Sequence, residues 1–131
     1  MTEELYWLVL TAAMTGTFWI PYIVNRFREL GPPSMRFYPL ADPPPRALWA
    51  ARAQKAHINA VENLVVFAPL ALAVYLVGGT GLTALACKVY FFARLAHYAI
   101  GIFGLPIPLR TLAFLIGFAC QMSLAGYLIT A

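Results

Sequence analysis

Three long stretches of the chain carry no charged side chain. Residues 5–25, 64–87 and 111–131 contain no Asp, Glu, Lys or Arg, and each is about as long as the roughly 20 residues with which an α-helix crosses a bilayer. Only 11% of the 131 residues are charged, whereas about 25% are charged in a typical soluble domain. The pattern predicts an integral membrane protein and excludes an ordinary soluble enzyme, a nucleic-acid-binding protein and a disordered tail.

Glycine and proline clusters divide the chain into four predicted transmembrane helices within one domain, residues 1–131. The helices are expected at about 5–24, 47–77, 82–103 and 110–130. Residues 78–81 and 106–108 mark short turns between them, and Pro21 and Pro69 fall inside predicted helices, where membrane bundles tolerate proline. Because no alternating period of short strands is visible, the predicted fold is an all-α four-helix bundle and not a β-barrel.

The basic residues are concentrated between the first and second hydrophobic stretches. Six of the nine lie there, namely Arg26, Arg28, Arg36, Arg46, Arg52 and Lys55. The positive-inside rule therefore predicts a cytoplasmic connection and puts both termini on the outer side. The beginning of the chain is acidic and lacks the basic region of a signal peptide, so the first hydrophobic stretch is expected to remain as a helix.

The second predicted helix carries polar side chains at spacings of three and four residues, which places them on one helical face. They are Arg52, Lys55, Asn59, Glu62 and Asn63. His57 points away from this face. Arg52 and Lys55 are expected at the cytoplasmic interface, where snorkelling anchors are an equally good interpretation. Glu62 is expected within the membrane boundary, where a charge costs about 2.5–3.5 kcal/mol on insertion scales and needs a partner.

The third predicted helix offers that partner, because Arg94 lies near its middle and His97 follows one turn later. We predict that Glu62 pairs with Arg94, either within one chain or between subunits. Such a pair could be purely structural, or the arginine could present its remaining donors to a ligand. Lys88 could be a second buried cation, or it could snorkel outward.

Arg110 opens the fourth predicted helix on the cytoplasmic side, where an anion would meet both a guanidinium and the positive end of a helix. An interfacial arginine placed by topology alone is the alternative. Together, Arg26, Lys55, Arg94 and Arg110 predict a site for a small polar anion, reached from the cytoplasm beside an apolar, lipid-facing surface. The chain shows no metal-ligand spacing, and no metal site is predicted.

Residues 55–63, Lys-Ala-His-Ile-Asn-Ala-Val-Glu-Asn, resemble the helix-two signature of the MAPEG superfamily, the membrane-associated proteins in eicosanoid and glutathione metabolism. The closest form is that of the microsomal glutathione transferases. Arg94-x-x-His97 and the segment 108–111 resemble the family's third-helix arginine and the basic residue at the head of helix four. The resemblance covers essentially the whole chain. It implies a homotrimer that binds glutathione between neighbouring subunits.

The resemblance also implies roles for individual residues. Its glutathione-binding candidates are Arg26, Lys55, His57, Asn59, Glu62, Arg94 and His97. The basic residues would hold the carboxylates of glutathione, while Glu62 would take its α-ammonium or orient a cationic neighbour. Arg110 is the catalytic candidate, because a cation beside the sulfur lowers the pKa of the thiol and supplies a thiolate nucleophile. A hydrophobic electrophile would reach this sulfur from the bilayer.

Two positions depart from the family pattern. Family enzymes often carry a tyrosine seven residues after the helix-three arginine, whereas this chain has Gly101 there and Tyr98 about one turn earlier. Lys55 stands where arginine is usual, which removes a bidentate fork.

The leading functional prediction is a glutathione-dependent transferase or peroxidase that acts on hydrophobic electrophiles or lipid hydroperoxides. The alternative is a non-catalytic lipid-binding or scaffold protein on the same fold, because fold does not establish activity. A small four-helix multidrug transporter would be expected to carry a carboxylate within its first helix, and residues 5–25 contain none.

Overall fold

The chain is all-helical, and its helices form a four-membered bundle whose first member is broken in two. The structure, a computed structural model, describes residues 1–32 and 42–131, so Arg36 lies outside the described residues. The helices are α1 Glu3–Thr17, α2 Ile20–Leu30, α3 Leu48–Val77, α4 Gly81–Phe103 and α5 Ile107–Thr130. No strand occurs in the described ranges. The predicted all-α fold is confirmed.

Three helical segments are long and apolar enough to cross a membrane: Glu3–Leu30, which joins α1 and α2, then α3 and α5. The chain is therefore a multi-pass integral membrane protein. The four members of the bundle run in alternating directions, with α1 and α2 counted as one member. We call the end that holds Glu3, Val77, Gly81 and Thr130 the terminal end, and the end that holds Leu30, Leu48, Phe103 and Ile107 the loop end.

Pro21 breaks the first membrane helix, which was predicted to be continuous. Proline has no N–H, and its ring clashes with the carbonyl four residues earlier. That carbonyl belongs to Thr17, the last residue of α1, and a turn at Phe18 and Trp19 follows before α2 begins. Pro69, in contrast, lies inside α3 as predicted.

A buried carboxylate ties α1 to the start of α4 at the terminal end. Glu4 is 5% exposed, and its Oε1 accepts a hydrogen bond of 2.6 Å from the hydroxyl of Thr83. Thr83 forms a capping box with Thr80, so the Glu4 carboxylate also lies beside the positive end of α4. A Cβ at Gly79 would overlap this carboxylate. Any larger residue at that turn would therefore have to displace the Glu4 or Thr83 side chain.

A second carboxylate ties α2 to α3 at the loop end. No side chain of the preceding turn caps α3. Glu29 instead accepts hydrogen bonds of 3.0 Å from the backbone N–H groups of both Arg46 and Ala47, directly before the helix. Asn25 donates to the same carboxylate oxygen at 3.0 Å. The charge of Glu29 thus stabilises the N-terminus of α3 from a neighbouring helix.

Two buried clusters fill the bundle. At the terminal end, Phe67 of α3 and Tyr90 of α4 stack with ring centroids 3.8 Å apart, in a cluster that also holds the two free cysteines. At the loop end, Phe18 stacks on Tyr98 at 3.8 Å, and the Tyr98 hydroxyl donates to the carbonyl of Phe18 at 2.9 Å. This contact holds the break in the first membrane helix against α4. The small side chains that complete the loop-end cluster are Ala53, Ala56 and Ala60.

Gly79→Ala is expected to lower the free energy of unfolding by about 1–3 kcal/mol, the usual cost of overpacking, because its methyl group overlaps the Glu4 carboxylate. Thermal unfolding in detergent, followed by circular dichroism, would show the loss as a lower Tm. Gly81→Ala is the matched control, since a Cβ there meets nothing within 4 Å. Equal Tm values for the two variants would contradict the role given to Gly79.

Candidate functional site

A cleft of about 230 Å³ opens between α3, α4 and α5 in the loop-end half of the bundle. Its lining residues are Lys55, Ala56, Asn59, His97 and Arg110. At a rise of about 1.5 Å per residue, His97 lies about 9 Å from the end of α4 and Arg110 about 5 Å from the start of α5. All four polar lining residues are among the predicted site residues. The fold therefore brings these four together.

Arg94 is held behind the cleft by Asn59. The residue is 2% exposed, and Nη2 donates a hydrogen bond of 2.5 Å to Asn59 Oδ1. Within the described residues Arg94 has no ion-pair partner, because the one salt bridge found there joins Arg26 to Asp42. A neutral amide satisfies one donor but does not neutralise the charge. A buried charge without an opposite charge is costly, so the site favours an anion nearby.

Two buried polar atoms on α4 have no hydrogen-bond partner: Arg94 Nε and His97 Nδ1. The two residues are three apart, so their side chains share one helical face. His97 is 6% exposed and still reaches the cleft. Buried polar atoms are nearly always paired. A ligand in the cleft is therefore a physical candidate for the partner that these atoms lack.

Positive charge at the cleft is not neutralised by the described part of the chain. Lys55 and Arg110 line it, Arg94 lies behind it, and none of its lining residues is acidic. Arg110 is in the first turn of α5, whose positive helix end adds to the field. The described acidic side chains act elsewhere or face outward: Glu3, Glu4, Glu29, Asp42 and Glu62.

The predicted pairing of Glu62 with Arg94 is wrong within a single chain. Arg94 meets Asn59, whereas Glu62 is exposed and forms no ion pair in the described residues. Three residues along a helix turn the side chain by about 300°, so Glu62 lies about 60° away from Asn59 on α3. Glu62 follows Lys55 by two helical turns and lies on the exposed side of α3. A pairing between subunits stays a prediction.

His57 and Arg26 do not line the cleft of their own chain. His57 Nδ1 lies 2.7 Å from the hydroxyl of Tyr22, and its ring meets Phe18 edge-on. It therefore fastens α3 to the broken first helix, as expected for a residue that points away from the polar face. Arg26 forms a salt bridge of 2.8 Å with Asp42 in the connection before α3.

Arg52 has a structural role that the sequence analysis missed. Its Nε donates to the carbonyl of Gly101 at 2.7 Å, and its Nη2 donates to that of Ile102 at 3.4 Å. Helix ends leave carbonyls without the usual partner four residues on. The N–H of Gly104 donates to the Gly101 carbonyl at 3.3 Å, and Arg52 adds a donor from a neighbouring helix. Gly104, with a φ of +67°, marked this helix end in the sequence.

Tyr98 is not among the lining residues of the cleft. Its hydroxyl is bound to the carbonyl of Phe18, at the helix break and not in the cleft. At Gly101 the helices meet directly, since a Cβ there would lie 3.4 Å from the Cβ of Ala56. A large side chain would separate α3 from α4. None of the lining residues bears a hydroxyl group.

Among known protein families, the MAPEG family matches residues 5–130 of this chain. The chain belongs to the MAPEG family. No individual curated protein and no solved structure matches it significantly. The resemblance read from residues 55–63 is thereby confirmed at the level of the superfamily. Membership in MAPEG suggests a membrane function related to glutathione or eicosanoids.

Asn59→Leu is expected to lower the free energy of unfolding by about 1.5–3 kcal/mol, the usual worth of a hydrogen bond to a charged group, because Arg94 then has no acceptor. The double variant Asn59→Leu/Arg94→Met removes the charge as well and should recover part of the loss. Denaturation of both single variants and the double variant gives the coupling between the side chains. Strictly additive effects would contradict the Arg94–Asn59 interaction.

Proposed function

We propose that this MAPEG protein binds glutathione in the cleft and uses its thiolate as a transferase or peroxidase. The observation that carries the proposal is the uncompensated positive charge of Lys55, Arg94 and Arg110 around a cleft with no acidic lining residue. Glutathione has two carboxylates and one ammonium group. Its net negative charge complements this site, and family membership makes it the leading ligand of that chemistry.

The side chains divide naturally between binding and chemistry. Lys55 and Arg94 are suited to the carboxylates, because Lys55 faces the cleft and Arg94 keeps a free Nε behind Asn59. His97 Nδ1 is available to hydrogen-bond the peptide part of the ligand. Arg110 forms no hydrogen bond with the described residues and lies at the positive end of α5. We assign it to the sulfur, whose pKa a neighbouring cation lowers.

The chemistry that follows depends on the second substrate. In transfer, the thiolate attacks an electrophilic carbon, a C–S bond forms and the leaving group departs with its electron pair. In peroxidase turnover, two glutathiones are oxidised to the disulfide while a lipid hydroperoxide is reduced to the alcohol and water. In both cases the hydrophobic substrate arrives from the bilayer, and glutathione enters from the loop end, which we assign to the cytoplasm because Arg28 and Arg46 are exposed there.

We infer further that the protein is a homotrimer and that a neighbouring copy completes the cleft. Glu62 is exposed about 21 Å from the start of α3, deep in a membrane-crossing helix. A carboxylate at this depth should face protein or water and have a partner. The apolar residues Val65 and Val66 are exposed beside it. Glu62, Val65 and Val66 together form an exposed stripe on α3. A second chain packed on this stripe would shield Glu62 and place it near the α-ammonium of bound glutathione.

A non-catalytic, lipid-binding MAPEG protein is the second candidate function. One observation favours it: no hydroxyl side chain lines the cleft, and Tyr98 is bound to the backbone of the first membrane helix. Thiolate stabilisation would then depend on Arg110 alone. Bound lipid together with the absence of thiol chemistry would identify this function.

Calorimetric titration of glutathione into the purified protein in detergent is expected to show saturable binding. Arg110→Ala and Lys55→Ala should each weaken it at least about tenfold, which corresponds to about 1.4 kcal/mol, because each removes a cation of the cleft. Arg28→Ala is the matched control, since Arg28 is exposed on α2 and not part of the cleft. Folded protein that binds no glutathione would overturn the proposal.

The same variants separate binding from activation. The ultraviolet absorbance of the thiolate, recorded with saturating glutathione, should fall in Arg110→Ala and persist in Lys55→Ala once the ligand concentration is raised. An unchanged thiolate signal in saturated Arg110→Ala would remove the catalytic role from this residue and leave the binding site intact. Saturable binding with no thiolate signal in the wild-type protein would favour the non-catalytic function.

Glu62→Arg is expected to dissociate the trimer, because it places an extra cation on the stripe that we assign to the subunit contact. Native mass spectrometry from detergent should give three chains for the wild-type protein and a smaller assembly for the variant. Glu3→Arg changes the charge equally but at an exposed position at the terminal end, and it should leave the assembly unchanged. A trimer that survives Glu62→Arg would contradict the assigned contact.

A further inference from the structure

Lys88 is the one basic residue among the described ones that lies nearer the terminal end than the loop end. At about 1.5 Å per residue it is about 11 Å from the start of α4 at Gly81. The other described basic residues are Arg26, Arg28, Arg46, Arg52, Lys55, Arg94 and Arg110. The proposed glutathione site does not use Lys88, which lies in the other half of the bundle. Its charge needs a separate explanation.

The ammonium group of Lys88 is aimed toward the membrane surface at the terminal end. Side chains of an α-helix tilt toward its N-terminus, and the N-terminus of α4 lies at that end. Lys88 is exposed, and its Nζ lies 5.9 Å from the ring centroid of Trp7, five residues into the chain's first helix. The ring offers a cation–π contact on one side. No salt bridge involves Lys88 in the described residues.

An aromatic surface lies directly below this cation. The Trp7 ring contacts Tyr6, Phe91 and Phe92, with centroid distances of 5.3, 5.4 and 5.6 Å. Tyr6 and Phe92 are 48% and 50% exposed. Tryptophan and tyrosine are enriched where a membrane protein meets the headgroup region. The patch formed by Tyr6, Trp7, Lys88, Phe91 and Phe92 thus joins an interfacial cation to an exposed apolar surface.

We propose that this patch is a binding site for an anionic phospholipid. Lys88 has three N–H donors and no carboxylate partner among the described residues, so it can bind the headgroup phosphate while Trp7 supports its other side. The first segment of an acyl chain then lies along Phe91 and Phe92, toward the bilayer centre. Charge complementarity selects an anionic lipid over a zwitterionic one, because a choline or ethanolamine group would bring a second cation close to Lys88.

Quenching of Trp7 fluorescence by brominated lipids tests the site. The full-length variant Trp19→Phe/Trp49→Phe leaves Trp7 as the one tryptophan, since the chain has three. It would be reconstituted in phosphatidylcholine vesicles that contain increasing fractions of brominated phosphatidylglycerol or brominated phosphatidylcholine. We expect half-maximal quenching at a roughly fivefold lower fraction of the anionic lipid, the effect of one lysine near the surface.

In the same background, Lys88→Gln should bring the ratio close to one, whereas Lys88→Arg should keep it because the charge remains. Arg28→Gln removes an exposed cation at the loop end and should also keep the ratio. Added salt should reduce the preference, since an interfacial charge contact is screened. Equal quenching by both lipids would overturn the proposal. A preference that persists in Lys88→Gln, or that is lost in folded Lys88→Arg, would overturn it as well.

Discussion

A buried arginine that meets no carboxylate among the described residues is the constraint on which the loop-end half of this protein depends. Arg94 is held by a neutral amide, Asn59, and keeps both its charge and a free donor. Had Glu62 paired with it inside the chain, this charge would have been neutralised, and only Lys55 and Arg110 would give the cleft a preference for anions. Asn59 fixes the position of Arg94 without neutralising its charge. The cleft therefore keeps this positive charge behind it, among apolar helices.

The scarcity of carboxylates has a second effect, which is structural. Glu4 and Glu29 lie beside the N-termini of α4 and α3, and each belongs to a different helix from the one that it stabilises. Arg52 plays the converse part at the C-terminus of α4. Both ends of α4 and the start of α3 thus receive charged side chains from neighbouring helices. At these three ends tertiary packing contributes to helix capping, whereas the cations Lys55 and Arg110 line a cleft with no acid among the described residues.

Much of this arrangement can be predicted from the spacing of residues in the sequence. Uncharged stretches predicted a membrane protein, glycine and proline clusters divided it into helices, and the spacing of Lys55 and Asn59 predicted the face that lines the cleft. His97 was predicted because it follows Arg94 by one turn, and Arg110 because it opens the fourth helix, where an anion meets the positive helix end. What spacing could not supply was the partner of each side chain across helices. By sequence spacing, Arg94 could have paired with either the Asn59 amide or the Glu62 carboxylate. In the fold it meets Asn59, whereas Glu62 lies about 60° away around α3.

The two prolines show the same limit of sequence spacing as a predictor. Pro21 and Pro69 look alike in an apolar stretch, yet the first breaks its helix and the second does not. At Pro21 a new packing arrangement is available, because Phe18 stacks on Tyr98 and its carbonyl receives the Tyr98 hydroxyl. At Gly101 the backbone of α4 packs directly against Ala56 of α3. This contact sets the distance between the backbones of α3 and α4 beside Ala56, which lines the cleft, so helix packing fixes how far apart these two walls stand.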